Sequence, residues 1–199
     1  MNGQPSQPGD EAGDDRALVA AVLARAPGAF ERLVKQYQGL CWHIVLRMVR
    51  NPEDARELCQ ETFLRVHQFL HQYRHDSALK SWIGQVAYSV AKRHLERKRI
   101  PLAENPDDGE GRSLAETVSD GFDLEEANAD AQINARLHAA IAELPPLQRT
   151  LLTLYHLEET PIGEISRITG LAEGTIKSHL FRTRKQLREV LETRIGVAV

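Results

Sequence analysis

TPIGEISRITGLAEGTIKSHLFRTRKQLR, residues 160–188, holds the pattern that decides the fold. Thr160-Pro161 caps a short helix whose Ile162, Ile165 and Ile168 share one side. Gly170 follows, where a glycine ends a helix. A second helix runs from about Glu173 to Thr193, with Ile176, Leu180, Leu187 and Leu191 on its inner face. A short apolar helix, a turn containing glycine and a second helix make a helix-turn-helix. The second helix turns Thr175, Lys177, Ser178, Arg182, Arg184 and Lys185 outward, the polar face that enters a major groove. Lys177 and Arg182 have the reach for base edges or phosphates, and Thr175 and Ser178 suit close contacts. Arg184 and Lys185 suit the backbone, which takes most protein–DNA hydrogen bonds.

Upstream of this stretch, residues 125–143 read as a helix, and Pro145-Pro146 opens another with Leu147, Leu151 and Leu154 on one face. Residues 128–195 therefore form a C-terminal helical domain. Residues 100–127 combine Pro101, Pro106, Gly109, Gly111 and Gly121 with many acids and read as a flexible acidic linker. Residues 14–99 form an N-terminal domain of four helices. Leu18, Val19, Val22 and Leu23 mark the first, over 14–25, and Phe30, Leu33, Val34, Tyr37, Leu40, Ile44 and Met48 the second, over 28–49. Asn51 as N-cap and Pro52 as first helical residue start a third that runs to about Phe69 and buries Ala55, Leu58, Thr62 and Val66. A fourth, Leu79 to Arg99, buries Trp82, Ile83, Val86, Ala87 and Val90. Residues 1–13 are polar and acidic, and the expectation there is disorder. The fold class is all-α, two small helical domains joined by the linker.

Composition excludes several classes of function. The 199 residues carry a net charge of -3, and no run approaches the roughly 20 apolar residues of a membrane span. The acidic N-terminus is unlike a signal peptide, and two cysteines, Cys41 and Cys59, make no disulfide framework, so the expected setting is a reducing cytoplasm. His67, His71 and His75 recur every four residues, but His75 falls in a loop and no carboxylate completes a metal set. No phosphate-binding glycine loop and no nucleophile–base motif is present. No catalytic residue, metal or cofactor is expected, and the chain is not expected to be an enzyme.

Charge alternates along the chain. Residues 92–99 read KRHLERKR, residues 104–126 hold nine acids against Arg112 alone, and the last helix is basic again. Two basic patches flanking an acidic connector suggest two nucleic-acid contacts. The first patch lies on the fourth helix, where Lys80, Trp82, Lys92, Arg93 and Arg97 combine charge with an aromatic ring, a mixture suited to single strands. The polar loop before it, with Tyr73, Arg74 and His75, suits an extruded base, and Trp82 is a residue that positions this loop. On the third helix Glu53, Asp54, Glu57 and Glu61 fall near one face, which suits a basic partner surface.

These signals occur in the order found in a known family. Residues 51–66, NPEDARELCQETFLRV, together with Ser81-Trp82-Ile83 and its basic tail, and with 144–185 from LPPLQR to GTIKSHLFRTRK, resemble the extracytoplasmic-function (ECF) sigma factors of the sigma-70 family. The resemblance spans about residues 15–99 and 130–193. It implies a region-2 domain at 14–99 and a region-4 domain at 128–195. It implies that Asp54, Glu57, Gln60, Glu61 and Phe63 dock on bacterial core RNA polymerase. It implies that Tyr73, Arg74, His75, Lys80, Trp82, Lys92, Arg93 and Arg97 engage the opened -10 strand, and that Thr175, Lys177, Ser178, Arg182, Arg184 and Lys185 read the -35 duplex. An anti-sigma factor is a further implied partner. Ser89 stands where the family commonly has Asn, Arg93 where it has Asp, and Ala172 where a capping Ser is frequent. The alternative function is a helix-turn-helix regulator acting without polymerase.

Overall fold

The computed structural model describes residues 8–99 and 137–195, and all regular structure among them is helical. Helix α1 spans Pro8–Leu23, α2 Ala29–Val49, α3 Pro52–Phe69 and α4 Leu79–Arg99. Residues 137–143 are helical, α5. Then follow α6, Pro146–Leu152, running on into a π turn over Thr153–Leu157, and α7, Ile162–Thr169, and α8, Glu173–Ile195. The linker at 100–127 and the first part of the helix expected over 125–143 lie outside the described residues.

Local chemistry sets these boundaries. Arg50 takes a left-handed conformation at the end of α2 and donates its N–H to Leu46 O at 2.9 Å. Asn51 then caps α3, its Oδ1 accepting from the N–H groups of Glu53 at 2.8 Å and Asp54 at 3.2 Å, with Pro52 filling the first helical position. Gly170 ends α7 at φ 75°, where any side chain would be strained. Thr160 departs from the expected cap: α7 starts on Pro161, whose carbonyl accepts from Glu164 and Ile165, while the buried Thr160 hydroxyl donates to Glu158 O at 3.4 Å. Helix α1 starts earlier than the apolar pattern, extending back to Pro8 through acids that favour a helix N-terminus. Leu23, expected in the core, ends α1 half-exposed.

The apolar stripes meet in one core. Leu33, Ile44, Leu70, Leu79 and Ile83 are fully buried in the N-terminal half, each contributing roughly 1.5–3 kcal/mol of apolar burial. Leu144, Leu151, Leu154, Ile165, Ile168, Ile176 and Leu180 are as deeply buried in the C-terminal half. The periodicity did not reveal that the two halves pack on each other. Gly84 of α4 lets Ile168 of α7 approach so closely that a Cβ there would lie 3.1 Å from Ile168 Cδ1 and 3.4 Å from Ile44 Cδ1.

Polar groups lock the same seam. Arg149, 4% exposed, donates from Nε to Arg47 O at 2.7 Å and from Nη2 to Met48 O at 3.3 Å, satisfying carbonyls at the C-terminus of α2. Its Nη1 serves Ala142 O and Leu144 O on its own side. Burial first, then the neighbouring Arg50 and Arg47, bring the Arg149 guanidinium down to a pKa of about 10, still protonated at neutral pH. Glu158, beyond the π turn, meets His43 Nδ1 of α2 at 2.5 Å and Lys80 Nζ of α4 at 3.5 Å, and Lys80 also donates to Glu158 O at 3.1 Å.

Candidate nucleic-acid and protein interfaces

Helix α8 seats on α7 and α6 through Ile176, Leu180 and Leu187, all buried, with Thr183 buried among them. The side chain of Leu191, expected on this face, lies outside the described residues. The opposite face is solvated. Thr175, Lys177, Ser178, Arg182, Arg184 and Lys185 are all exposed. Lys177 lies 3.7 Å from Glu173 and Lys185 3.8 Å from Glu189, exposed pairs one turn apart that contribute little and exchange readily for phosphate. The Ser178 hydroxyl donates to Gly174 O at 2.9 Å, and Arg184 Nε to Leu180 O at 3.2 Å. Both residues therefore already have one partner within the helix, whereas the surface at Arg182 is open. Beside it Phe181 is 67% exposed, an aromatic ring that the pattern reading passed over. The signal for it was an apolar residue directly beside, and out of step with, the buried stripe.

The loop before α4 is organised by aromatic contacts. Tyr73 packs on Trp82 with centroids 5.5 Å apart and on His75 at 4.6 Å, and its hydroxyl donates to Ser77 O at 2.6 Å. His75 holds a left-handed φ of 60°. Trp82 is thus half-buried against the loop that it was expected to position, while Arg74 and His75 stay exposed. Lys92, Arg93 and Arg97 line the exposed side of the distal part of α4. Lys92 pairs only loosely with Glu96, 3.9 Å away on its own helix, whereas the Lys80 ammonium is held by Glu158, at the seam with the C-terminal half.

On α3 the acids fall into two groups. Asp54 is held by Lys98 Nζ at 2.6 Å and lies 3.4 Å from His94 Nε2, both on α4. The Lys98 hydrogen bond keeps its carboxyl below the usual carboxylate value, although partial burial acts in the opposite direction. Glu61 accepts two bonds from Arg65, at 2.9 and 2.7 Å. Glu57 and Gln60 are exposed. Phe63 is 8% exposed and lies on the wall of a groove of about 710 Å³ between α2 and α3, together with Phe30, Val34, Trp42, Cys59 and Leu64. Leu64 stands 71% exposed at this groove. Like Phe181 it falls off its helix's buried stripe of Ala55, Leu58, Thr62 and Val66, and the sequence reading did not single it out.

The three histidines expected to be free of metal duty are spread over different surroundings. His67 packs edge-on against Phe30 at 4.9 Å, and His75 against Tyr73. Among the described residues no helix is long and apolar enough to cross a membrane.

Comparison with known proteins follows the same two halves. Residues 33–100 match the family Sigma-70 region 2, and residues 134–187 match Sigma-70, region 4. The chain is 30% identical over 181 residues to the RNA polymerase sigma-H factor of Pseudomonas aeruginosa, covering 89% of this chain and 94% of that protein. It is 28% identical to the ECF RNA polymerase sigma factor SigE of Mycolicibacterium smegmatis, over 93% of this chain and 70% of that one. The fold is similar to that of CnrH, solved in complex with the cytosolic domain of CnrY, with a TM-score of 0.63 at 18% identity over 90% of this chain and 97% of that one. It is also similar to the sigma factor RpoE of Bartonella quintana, solved with the anti-sigma factor NepR, with a TM-score of 0.65 at 19% identity over 83% and 98% of the two chains. With both regions matched in order and a relative of this identity along nearly its whole length, the chain belongs to the sigma-70 family, as an RNA polymerase sigma factor of the ECF type.

Proposed function

We propose that this sigma factor directs core RNA polymerase to its promoters by a division of labour between the two halves. The observation that carries the reading is α8: an apolar face locked into the helix-turn-helix and a wholly exposed face bearing Thr175, Lys177, Ser178, Arg182, Arg184 and Lys185. That face reads the -35 duplex. The loop at Tyr73, Arg74 and His75, backed by Trp82, receives the opened -10 strand, while Lys92, Arg93 and Arg97 follow its phosphates. Glu57, Gln60 and the apolar groove beside Phe63 dock on polymerase, and Asp54 and Glu61 shape that face through their bonds to Lys98 and Arg65. Catalysis belongs to the polymerase, and the sigma factor itself is not an enzyme. Its setting is the cytoplasm. Because a related fold is found with an anti-sigma factor, an anti-sigma partner is part of the proposal.

Promoter engagement requires the seam to open. Elements at -35 and -10 lie about 25 base pairs apart, roughly 85 Å of duplex at about 3.4 Å per pair. Helices α4 and α7 in van der Waals contact at Gly84 and Ile168 do not span that distance. The packed arrangement is therefore a resting form, and polymerase supplies the binding energy that separates the halves. Lys80, freed from Glu158 by the opening, then joins the -10 set.

In vitro transcription from a cognate promoter, with core polymerase alone and with this chain added, tests the function. Promoter-specific transcripts only in the presence of the chain are expected. Tight promoter binding by the chain alone, with no association with core polymerase, would instead establish a stand-alone regulator. Gly84→Leu, which wedges α4 from α7, is expected to separate the halves, seen as a larger radius of gyration of the free protein in solution scattering, while -35 duplex binding by the already exposed α8 face stays unchanged. An unchanged radius of gyration removes the resting-form reading.

A further inference from the structure

The carboxylate of Glu158 is aimed across the seam by bonds within its own half. The π turn over Thr153–Leu157 closes with the Glu158 N–H donating to Thr153 O at 3.0 Å, and Glu159 then takes a left-handed φ of 48°. The Thr160 N–H returns to Leu154 O at 2.8 Å, and the Thr160 hydroxyl donates to Glu158 O at 3.4 Å. Turns of this wide kind inside helices recur at functional sites. The largely buried carboxylate gives each oxygen a different partner. Oε1 lies 2.5 Å from His43 Nδ1 of α2, and Oε2 lies 3.5 Å from Lys80 Nζ of α4. Both partners stay partly exposed, so they can be reached from outside once Glu158 withdraws. Arg47 follows His43 one turn along α2, with Arg50 beyond it, and neither is ion-paired among the described residues.

Holding the halves together does not call for this arrangement. The packing of Ile168 against Gly84 and the bonds of Arg149 already close the seam. A shielded ion pair adds little to that, because desolvation offsets most of its attraction. What the carboxylate does offer is two oxygens sharing one negative charge, set against an ammonium and an imidazole. The non-bridging oxygens of a phosphodiester offer the same thing. We propose that His43 and Lys80 form a binding site for one backbone phosphate of single-stranded DNA, and that Glu158 occupies this site in the packed form. The proposal rests on the opening of the seam put forward above, which the scattering of Gly84→Leu checks separately.

Two consequences follow. Lys80 cannot hold Glu158 and a phosphate at once, so closure of the seam and capture of the strand compete. By linkage each opposes the other to the same degree. His43, which lies outside the basic run of α4, becomes a DNA contact through its ring N–H, and the row of Arg47 and Arg50 continues the positive surface along α2.

The test uses the full chain and a fluorescently labelled 12-nucleotide oligothymidylate, followed by anisotropy at several salt concentrations. Glu158→Ala should bind about tenfold more tightly than wild type, with a salt dependence steeper by about 0.7 in the log–log slope, the value for one more phosphate on a single strand. Adding Lys80→Ala or His43→Ala to Glu158→Ala should remove the gain. Glu159→Gln deletes the neighbouring exposed charge and should give no gain. An equal gain from Glu159→Gln, or a gain that survives both second substitutions, overturns the proposal. So does an unchanged affinity in Glu158→Ala. If Arg93→Ala still weakens binding in that case, the phosphate pair falls and the -10 reading of α4 stands. If Arg93→Ala also changes nothing, both fall. Should Glu158→Ala fail to fold, the wild type keeps the test: the His43 ring nitrogen signals, assigned with His43→Ala, should shift on titration with the oligonucleotide. Signals that stay in place at saturation overturn the site.

Discussion

Helices α3 and α8 each carry a charged face opposite an apolar stripe, and the sequence treats the two alike. Their charges do different things. On α8 the basic side chains face solvent, and the ion pairs of Lys177 and Lys185 are exposed i,i+4 contacts that DNA can displace. On α3 Asp54 is clamped by Lys98 from another helix, and Glu61 is bound by both Nε and Nη2 of Arg65. Periodicity shows where charge lies. Whether that charge is available to a partner depends on what the neighbouring helices bring to it. The outward-facing material on α3 is Glu57, Gln60 and an apolar groove, a surface more typical of protein partners than an acidic patch alone.

The comparison can be broken most forcefully at the most committed charge. Arg149→Ala leaves carbonyls of Arg47, Met48, Ala142 and Leu144 without their donor and should lower stability by about 3 kcal/mol, read by urea denaturation. A loss below about 0.5 kcal/mol would show that the seam does not depend on it. Next comes the groove. Leu64→Glu, at a side chain already exposed, should leave the fold intact by circular dichroism yet weaken core polymerase binding about 30-fold, roughly 2 kcal/mol. Unchanged binding would place docking elsewhere. On α8, Arg182→Ala should cost about 1–2 kcal/mol in -35 duplex binding and reduce the salt dependence by about one phosphate contact. Retained affinity with an unaltered salt slope would exclude Arg182 from the interface.

The smallest effect concerns Asp54. Its folded pKa lies below the unfolded value of about 3.9, so its contribution to stability is present above that value and fades as pH falls through the lower folded pKa. Lys98→Ala should move the carboxyl back up toward the ordinary range, visible by NMR titration. An unmoved titration would mean that Lys98 is not what holds it.

Much of this was legible along the chain. The Asn51-Pro52 start of α3, the Gly170 end of α7, the span of α4 and the buried Ile176, Leu180 and Leu187 of α8 follow from caps and period, because those depend on neighbours within a turn or two. Thr160 and Leu23 were misjudged where a local rule met an inward-facing hydroxyl and a helix end. Leu64 and Phe181 escaped notice because reading for stripes discards apolar residues that fall outside them.

By itself the sequence determined an all-helical chain, its order of elements, the helix-turn-helix and the family to which its motifs point. All of these rest on interactions between residues close in sequence or on patterns repeated every few residues. Tertiary structure decided which charges are occupied, that Arg149 closes the end of a helix a hundred residues away, and that Gly84 admits Ile168. Those contacts join residues with no common period. They arise only when separate helices settle into a shared core, and nothing local in the chain encodes which side chains will then face one another.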